Sequence, residues 1–190
     1  MRAQEEGHNM TLGTEGPEET RALGALLAEF LEAGDFIALD GELASGKTCL
    51  VQGVASGLAY RGHATSPTFT LLHFYEGGRL PLYHFDLYRI EAPEELEGLG
   101  YEEYFYGDGV CAVEWSGLAA DYLPDRRIGI RLEKDGAAAW DGSENADETP
   151  ERRRITVTLY GGEGAWRRMR LALSGRWRSR SGDDDADTRD

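Results

Sequence analysis

The sequence predicts an α/β fold, a three-layer sandwich in which a mixed central sheet has helices on both sides. Three observations predict it: an amphipathic helix pattern near the amino terminus, several apolar runs of strand length, and a glycine-rich segment between one such run and a second helical segment. The 190 residues suffice for one well-filled core and exclude a large multidomain protein.

The first helix is predicted to begin at Gly16-Pro17 and to end at Gly34. Proline suits the first helical position, and Glu18 and Glu19 place negative charge where the helix dipole favours it. Apolar side chains then recur on one face, at Leu23, Leu26, Leu27, Phe30 and Leu31. Residues 1–13 lack such a pattern and are predicted to form a flexible amino terminus.

A buried strand is predicted at residues 36–39, because this apolar run is too short for a helix. It leads into residues 41–48, GELASGKT, which fit the pattern G-x-x-x-x-G-K-[ST]. The segment that follows, up to Gly57, is compatible with a helix despite the cost of Gly53. A strand, a glycine-rich loop and a helix in this order are typical of a P-loop NTPase, so the predicted sandwich is of the P-loop NTPase type.

The loop predicts a phosphate-binding site. Its glycines let backbone N–H groups turn towards an anion, and the following helix adds the positive end of its dipole. Lys47, one of only two lysines, is expected to reach the β- and γ-phosphates, and the Thr48 hydroxyl to bind Mg²⁺. The candidate nucleotide-binding residues of the loop are Gly41, Glu42, Leu43, Ala44, Ser45, Gly46, Lys47 and Thr48.

Further strands complete the predicted sheet, at residues 69–75, 80–87, 110–113, 128–132 and 155–159. The first two flank the sequence EGGR and predict a hairpin, and residues 93–96 open a short acidic helix. Residues 134–151 are rich in Asp, Glu, Gly and Ala and predict an acidic loop insertion, whereas residues 174–190 predict a disordered charged tail. A single P-loop ATPase domain is therefore expected over residues 14–173.

The net charge of −15 is unevenly distributed. Residues 1–125 contain 22 acidic and six basic residues, whereas residues 152–180 contain nine arginines and one glutamate. Dense carboxylates repel a phosphate backbone, so direct binding of nucleic acid by the main body is disfavoured. The arginine-rich segment 152–180 is the exception: it is expected either to contact a nucleic acid or an acidic partner, or to neutralise the acidic segments beside it.

A P-loop needs a further metal or water ligand, usually an acid at the end of a neighbouring strand. Glu114 follows a short apolar run, as in a Walker B element, and Asp86 ends another such run. Thr68 belongs to a cluster of hydroxyl side chains about 20 residues after the loop, where switch segments that sense the γ-phosphate commonly lie. Trp115, directly after the candidate acid, is either a core residue or part of the nucleotide site.

Composition and residue spacing restrict the location of the protein, the roles of its cysteines and histidines, and the nucleotide that it is expected to bind. No apolar run approaches the roughly 18 residues that cross a bilayer, and no signal-peptide pattern is present, so a cytoplasmic protein without membrane contact is expected. Cys49 and Cys111 have no disulfide or zinc spacing, and His84 is expected to be a packed or hydrogen-bonded residue. Because Asn9 and Asn145 cannot form an N-K-x-D element, guanine specificity is excluded and adenine is favoured.

Several motifs, in their order and approximate spacing, resemble the TsaE family, the bacterial ATPase component of tRNA threonylcarbamoyladenosine biosynthesis. The resemblance covers about residues 14–133. The runs SPTFT and HFDLYR are far more specific than the P-loop alone. The motifs are GELASGKT at 41–48, TSPTFTL at 65–71, YHFDLYR at 83–89, PEEL at 93–96 and EW at 114–115.

The resemblance implies an ATPase with ATP and Mg²⁺ as cofactors. It would bind the other protein subunits of the threonylcarbamoyl-transfer complex and reset that complex by hydrolysis, with indirect contact to tRNA. It implies that Lys47, Asp86 and Glu114 are catalytic and that Thr48 and Glu114 bind Mg²⁺. Asp86 would act as a catalytic or water-orienting carboxylate, and Thr68 as a switch residue.

The resemblance further implies that Trp115 belongs to the nucleotide site and that Thr20 lies near the adenine. The sequence departs from the family pattern at Ala44 and Ser45, where the family usually has Gly-Ala. Ala44 disfavours a positive φ, so this departure bears on the geometry of the P-loop.

Two other functions remain open from the sequence. A small-molecule kinase would use the same loop but needs an arginine-bearing lid, and only Arg61, Arg79 and Arg89 lie between Lys47 and residue 125. A nucleotide-gated binding module with negligible turnover has the same motifs, since intrinsic hydrolysis is often slow until a partner completes the site.

Overall fold

A computed structural model describes residues 8–135, 152–161 and 166–177, and its described part contains a seven-stranded mixed sheet. The strands are β1 (His8–Glu15), β2 (Phe36–Gly41), β3 (Leu72–Tyr75), β4 (Leu82–Asp86), β5 (Val110–Glu114), β6 (Ile128–Lys134) and β7 (Arg152–Leu159). Their order is β1-β7-β6-β2-β5-β4-β3. The central strands β6, β2, β5 and β4 are parallel, whereas β3, β7 and β1 are antiparallel to their neighbours.

Helices cover both faces of this sheet. They are α1 (Gly16–Ala28), α2 (Lys47–Gly57), α3 (Glu95–Gly98), α4 (Glu102–Phe105) and α5 (Arg167–Arg176), with a 3₁₀ segment at Ser116–Tyr122. Side chains of α1, α2 and α5 share one buried cluster with the sheet, and those of α3, α4 and the 3₁₀ segment share a second. The predicted three-layer α/β fold is confirmed.

The central strands are apolar on both faces because both faces are covered. In β5, Val110 and Ala112 belong to the cluster with α1 and α2, whereas Cys111 and Val113 belong to the opposite cluster. Parallel strands covered on both faces have continuous apolar runs. This explains why short apolar runs in the sequence were sufficient to predict the central strands. Glu114 continues the alternation of Val110 and Ala112 and therefore faces α2.

The predicted flexible amino terminus is wrong for residues 8–13, which belong to β1. This strand pairs with β7 from His8 to Glu15. Only Leu12 and Thr14 of β1 are fully buried, because a strand at the edge of the sheet covers one face alone. Its apolar pattern is therefore too sparse to be visible in the sequence. Residues 1–7 lie outside the described part of the chain.

The predicted charged tail begins later than residue 174, because α5 continues to Arg176. The Nε1 of Trp177 donates a hydrogen bond to the carbonyl oxygen of Gly13 at 2.8 Å. The predicted acidic insertion 134–151 also starts later, since Lys134 still belongs to β6. Residues 136–151 and 178–190, to which the rest of both predictions applies, lie outside the described residues.

The predicted hairpin is confirmed, as β3 and β4 are antiparallel neighbours. α1 ends at Ala28, earlier than the predicted Gly34, although Leu31 beyond it is still buried. Within the described ranges, no helix combines the length and the apolar composition that a bilayer span requires.

Replacement of Leu173 by alanine tests whether α5 is part of the core. Leu173 is fully buried, so its truncation is expected to lower the free energy of unfolding by about 2–5 kcal/mol. Leu171 on the same helix is 62% exposed, so Leu171→Ala should change it by less than about 0.5 kcal/mol. Urea denaturation of both variants measures the difference, and equal small effects would contradict the packing of α5.

Candidate nucleotide-binding site

The loop between β2 and α2 requires a backbone that most residues avoid. Gly41 has a φ of 147°, and a Cβ atom there would lie 2.2 Å from the carbonyl oxygen of Leu132 in β6. Gly46 has a φ of 106° directly before α2. Glycine is the only residue without a Cβ atom, so the two glycines of the motif allow the loop to turn tightly against the sheet.

Ala44 adopts the left-handed conformation that its side chain disfavours, with a φ of 60°. The departure from the family pattern at Ala44 therefore does not remove the positive φ at this position. The conformation costs roughly 1–2 kcal/mol in an L-residue, and the surrounding loop holds it.

The ammonium group of Lys47 is buried within the loop. Its Nζ donates to the carbonyl oxygens of Gly41 at 2.8 Å and Glu42 at 2.9 Å, and lies 3.9 Å from the ring centroid of Trp115. Burial lowers the pKa of Lys47. The negative charges of Glu114, Asp86 and Asp40 oppose this, and that of Glu114 has the largest effect. Lys47 is 4% exposed, so its charge is little screened by water.

The two candidate Mg²⁺ ligands are in direct contact. The Thr48 hydroxyl donates to Oε1 of Glu114 at 2.7 Å, and His84 lies against the same oxygen, with its Nε2 at 2.9 Å. A proton on Nε2 makes His84 the donor in this contact. His84 and Glu114 are both buried, so the histidine holds the carboxylate in place against α2. Sequence reasoning predicted a hydrogen-bonded His84 but not its partner.

Asp86 and Glu114 lie side by side because they are register partners at the ends of β4 and β5. Oδ2 of Asp86 accepts hydrogen bonds from Ser66 Oγ at 3.2 Å and from Thr68 Oγ1. Oδ1 accepts the backbone N–H of Tyr88 at 3.1 Å. The hydroxyl cluster that the sequence singled out is therefore attached to the second candidate acid.

Asp40 is a site residue that sequence reasoning missed. It accepts hydrogen bonds from Ser116 Oγ at 2.7 Å and from the N–H of Gly117 at 3.0 Å. These bonds hold the turn after Trp115, whose φ of 60° is unusual for a large side chain. The signal was present, since Asp40 ends an apolar strand as Asp86 and Glu114 do. Trp115 in turn packs against Tyr88, with ring centroids 5.1 Å apart.

These residues surround a cleft of about 410 Å³, a volume within the range of small-ligand sites. It is lined by Leu43, Ala44, Ser45, Gly46, Lys47, Thr48, Cys49, Gln52, Ser66, Thr68, Asp86, Tyr88, Glu114 and Trp115. Gly41 and Glu42 contribute through the carbonyl groups that bind Lys47. Thr20 does not line the cleft: it is fully buried, and its hydroxyl is bonded to Thr14 and to the carbonyl of Gly16, each at 3.0 Å.

The donor set of the cleft fits a nucleotide phosphate with Mg²⁺. Within the described ranges, no group of three or more His, Cys, Asp or Glu side chains could hold a metal ion. Mg²⁺ typically takes one or two protein ligands and completes its coordination with phosphate oxygens and water. Thr48 and Glu114 supply such a partial set next to the loop.

A mixed sheet, a glycine-rich loop between β2 and α2, and paired acids at the ends of β4 and β5 define an α/β protein of the P-loop NTPase type. A family model described as "Threonylcarbamoyl adenosine biosynthesis protein TsaE" matches residues 14–141. The chain belongs to this TsaE family, which confirms the resemblance seen in the motifs.

Curated relatives described as "tRNA threonylcarbamoyladenosine biosynthesis protein TsaE" are similar over most of their length. The Bacillus subtilis protein is 46% identical over 123 residues, 65% of this chain and 77% of the relative. The Streptomyces coelicolor protein is 37% identical over 144 residues, 74% of this chain and 90% of the relative. A crystal structure of Bacillus subtilis YdiB matches with a TM-score of 0.67 at 34% identity. The match covers 88% of this chain and 93% of the YdiB chain.

Substitution of Ala44 by glycine tests the backbone of the loop. At a left-handed position the loss of the Cβ atom relieves strain and offsets the entropy of the more flexible unfolded chain, so the free energy of unfolding should stay unchanged or rise by up to about 1 kcal/mol. The control is Ala22→Gly, at an exposed position within α1, which should lower it by about 1 kcal/mol. A similar loss in both variants would exclude a positive φ at Ala44.

Proposed function

We propose that the protein is the Mg²⁺-dependent ATP-binding and ATP-hydrolysing component of the machinery that forms N6-threonylcarbamoyladenosine in tRNA. The observation that carries the proposal is that Lys47, Thr48 and Glu114 line one cleft beside the glycine-rich loop. These are the groups that bind phosphate and Mg²⁺ in P-loop NTPases. The descriptions of the curated relatives support the role in tRNA modification.

The loop and α2 would bind the phosphates. α2 begins at Lys47, directly after Gly46, so its unpaired N–H groups and the positive end of its dipole lie at the loop. Lys47 adds a full positive charge that water screens little. ATP is proposed rather than GTP, because the sequence has no N-K-x-D element for guanine.

Thr48 and Glu114 would hold Mg²⁺, which when bound neutralises charge on the β- and γ-phosphates. The hydrogen bond from His84 keeps the Glu114 carboxylate oriented towards Thr48. Asp86 is held by Ser66, Thr68 and the N–H of Tyr88, and it would orient the attacking water or accept its proton. Since Thr68 contacts Asp86 directly, changes at the γ-phosphate would move an exposed segment of the chain, as in a switch.

Contacts of the arginines favour hydrolysis over small-molecule phosphorylation. Arg79 donates to the carbonyl oxygens of Ala28 and Leu31, at the end of α1, and Arg89 lies 4.4 Å from the ring centroid of Phe69. None of the described residues that line the cleft is an arginine. A kinase lid that clamps an acceptor therefore has no support among these residues. A nucleotide-gated module with negligible turnover differs from the proposed ATPase only in rate.

We propose that the other subunits of the threonylcarbamoyl-transfer complex bind at the rim of the cleft, and that tRNA contact is indirect. Leu43, which lines the cleft, is 69% exposed, and Phe69, next to Thr68 of the lining, is 84% exposed. Half-exposed Tyr88 lies within the cleft wall. Exposed apolar side chains around a site are typical of surfaces that proteins bind. A partner bound there would contact the switch segment, so a cytoplasmic, partner-regulated ATPase is proposed.

Replacement of Lys47 by alanine tests the nucleotide site. Loss of a buried charge beside the phosphates should weaken ATP binding by about tenfold to a hundredfold, because hydrogen bonds to charged groups contribute roughly 1.5–3 kcal/mol. The other lysine, exposed Lys134 at the end of β6, serves as the matched control and should bind as the wild type after Lys134→Ala. Calorimetric titration with ATP measures both, and unchanged affinity of the Lys47 variant would exclude the P-loop assignment.

Replacement of Glu114 by glutamine tests hydrolysis and the partner-regulated role. The amide keeps the shape but loses the charge, so Mg²⁺-dependent single-turnover hydrolysis should fall by at least about a hundredfold while ATP binding changes much less. The control is exposed Glu133→Gln. The rate is measured with and without the partner subunits, which should accelerate hydrolysis by the wild type and by the control but not by Glu114→Gln.

Full hydrolysis by the Glu114 variant would transfer the Mg²⁺ role to Asp86. Phosphate transfer to an added acceptor in place of water would support the kinase. A wild type that hydrolyses no ATP even with partners would leave only the nucleotide-gated module.

A further inference from the structure

Among the arginines of the 152–180 segment whose side chains the structure describes, Arg153 alone is buried. It lies next to the loop that lines the cleft. It belongs to β7, which follows the residues that the family model matches. It is 6% exposed, whereas its neighbours Arg152 and Arg154 are exposed and form ion pairs with Glu15 and Asp135. The alternation of the strand therefore turns Arg153 alone of these three towards the P-loop.

The Arg153 side chain lies directly behind the loop. Its Nε donates a hydrogen bond to the carbonyl oxygen of Ser45 at 2.9 Å. A Cβ atom on Gly46 would lie 3.0 Å from the same Nε and 3.3 Å from Cδ of Arg153. The peptide unit between Ser45 and Gly46 is thus packed against the guanidinium group, and the second glycine of the motif is needed for this close approach.

We infer that Arg153 is a positioning residue of the nucleotide site, which orients the Ser45–Gly46 peptide unit so that the Gly46 N–H faces the phosphates. This inference rests on the proposed ATP binding and extends it to a residue outside the family match. In a trans peptide the C=O and N–H bonds point in opposite directions, and the described chain contains no cis peptide bond. A Ser45 carbonyl drawn back to Arg153 therefore directs the Gly46 N–H away from Arg153.

The charge of Arg153 also acts on the first turn of α2, directly after the loop. Burial raises the pKa of Cys49, in the first turn of α2, and the positive charges of Arg21 and Arg153 oppose this rise. The field of Arg153 therefore extends to the helix end that faces the phosphates.

The test compares Arg153→Met with Arg152→Met in the full chain. Methionine keeps part of the apolar stem but removes the donor and the charge. Dissociation constants for ATP, ADP and adenosine are measured by calorimetry or competition. Arg153→Met should bind ATP and ADP at least about tenfold more weakly, as loss of a charged hydrogen bond predicts, and adenosine within about twofold of the wild type. The exposed control Arg152→Met should match the wild type for all three ligands.

A purely structural role would change the three affinities in equal proportion, or would lower the melting temperature without changing them. Either result overturns the inference, as does wild-type ADP affinity in Arg153→Met. Arg153→Thr, which removes the charge and the Nε donor and suits a strand, serves if the methionine variant does not fold: its ratio of ADP to adenosine affinity should also fall, and an unchanged ratio overturns the inference. A wild type that binds no ATP would instead refute the proposed function.

Discussion

One buried ammonium group and three carboxylates share the carboxyl edge of the central sheet. Asp40, Asp86 and Glu114 end the adjacent strands β2, β4 and β5, and the charge of each acts on Lys47. Parallel strands bring these ends to one edge of the sheet, where the like charges of the three carboxylates repel each other. The cation therefore stabilises the cluster, and the cluster keeps the cation charged against the cost of burial. The geometry of the loop depends on this balance, because Lys47 also ties two of its carbonyl groups.

Two of the four described non-glycine residues with a positive φ lie at the same edge. Ala44 and Trp115 both have a φ of 60°, and both line the cleft. Such conformations persist only where neighbouring bonds hold them. Asp40 holds the turn after Trp115, and Arg153 holds the Ser45–Gly46 peptide unit, one residue beyond Ala44. Part of the support of the site therefore comes from β2 and β7.

Sequence reasoning succeeded for the central elements and for the β3–β4 hairpin, and failed for two peripheral elements, β1 and α5. The strand, loop and helix around the P-loop were predictable because their signals are local and lie within a short stretch of chain. β1 was missed because an edge strand buries only one face and needs few apolar residues. α5 was missed although Trp166, Met169 and Leu173 are spaced as on one helical face, since the arginines between them resemble a solvated segment.

The sequence by itself determined the predicted class of the site: the motif at residues 41–48 and the acids after apolar runs predict phosphate and Mg²⁺ chemistry, because this prediction needs only the residue types and their local order. Tertiary structure alone decided which residues support that chemistry. The pairing of Asp86 with Glu114 follows from strand register, and the contacts of His84 and Arg153 join residues 30 and 108 positions apart. Such contacts depend on how β4, β5 and β7 align in the sheet, and no local pattern in the chain encodes that alignment.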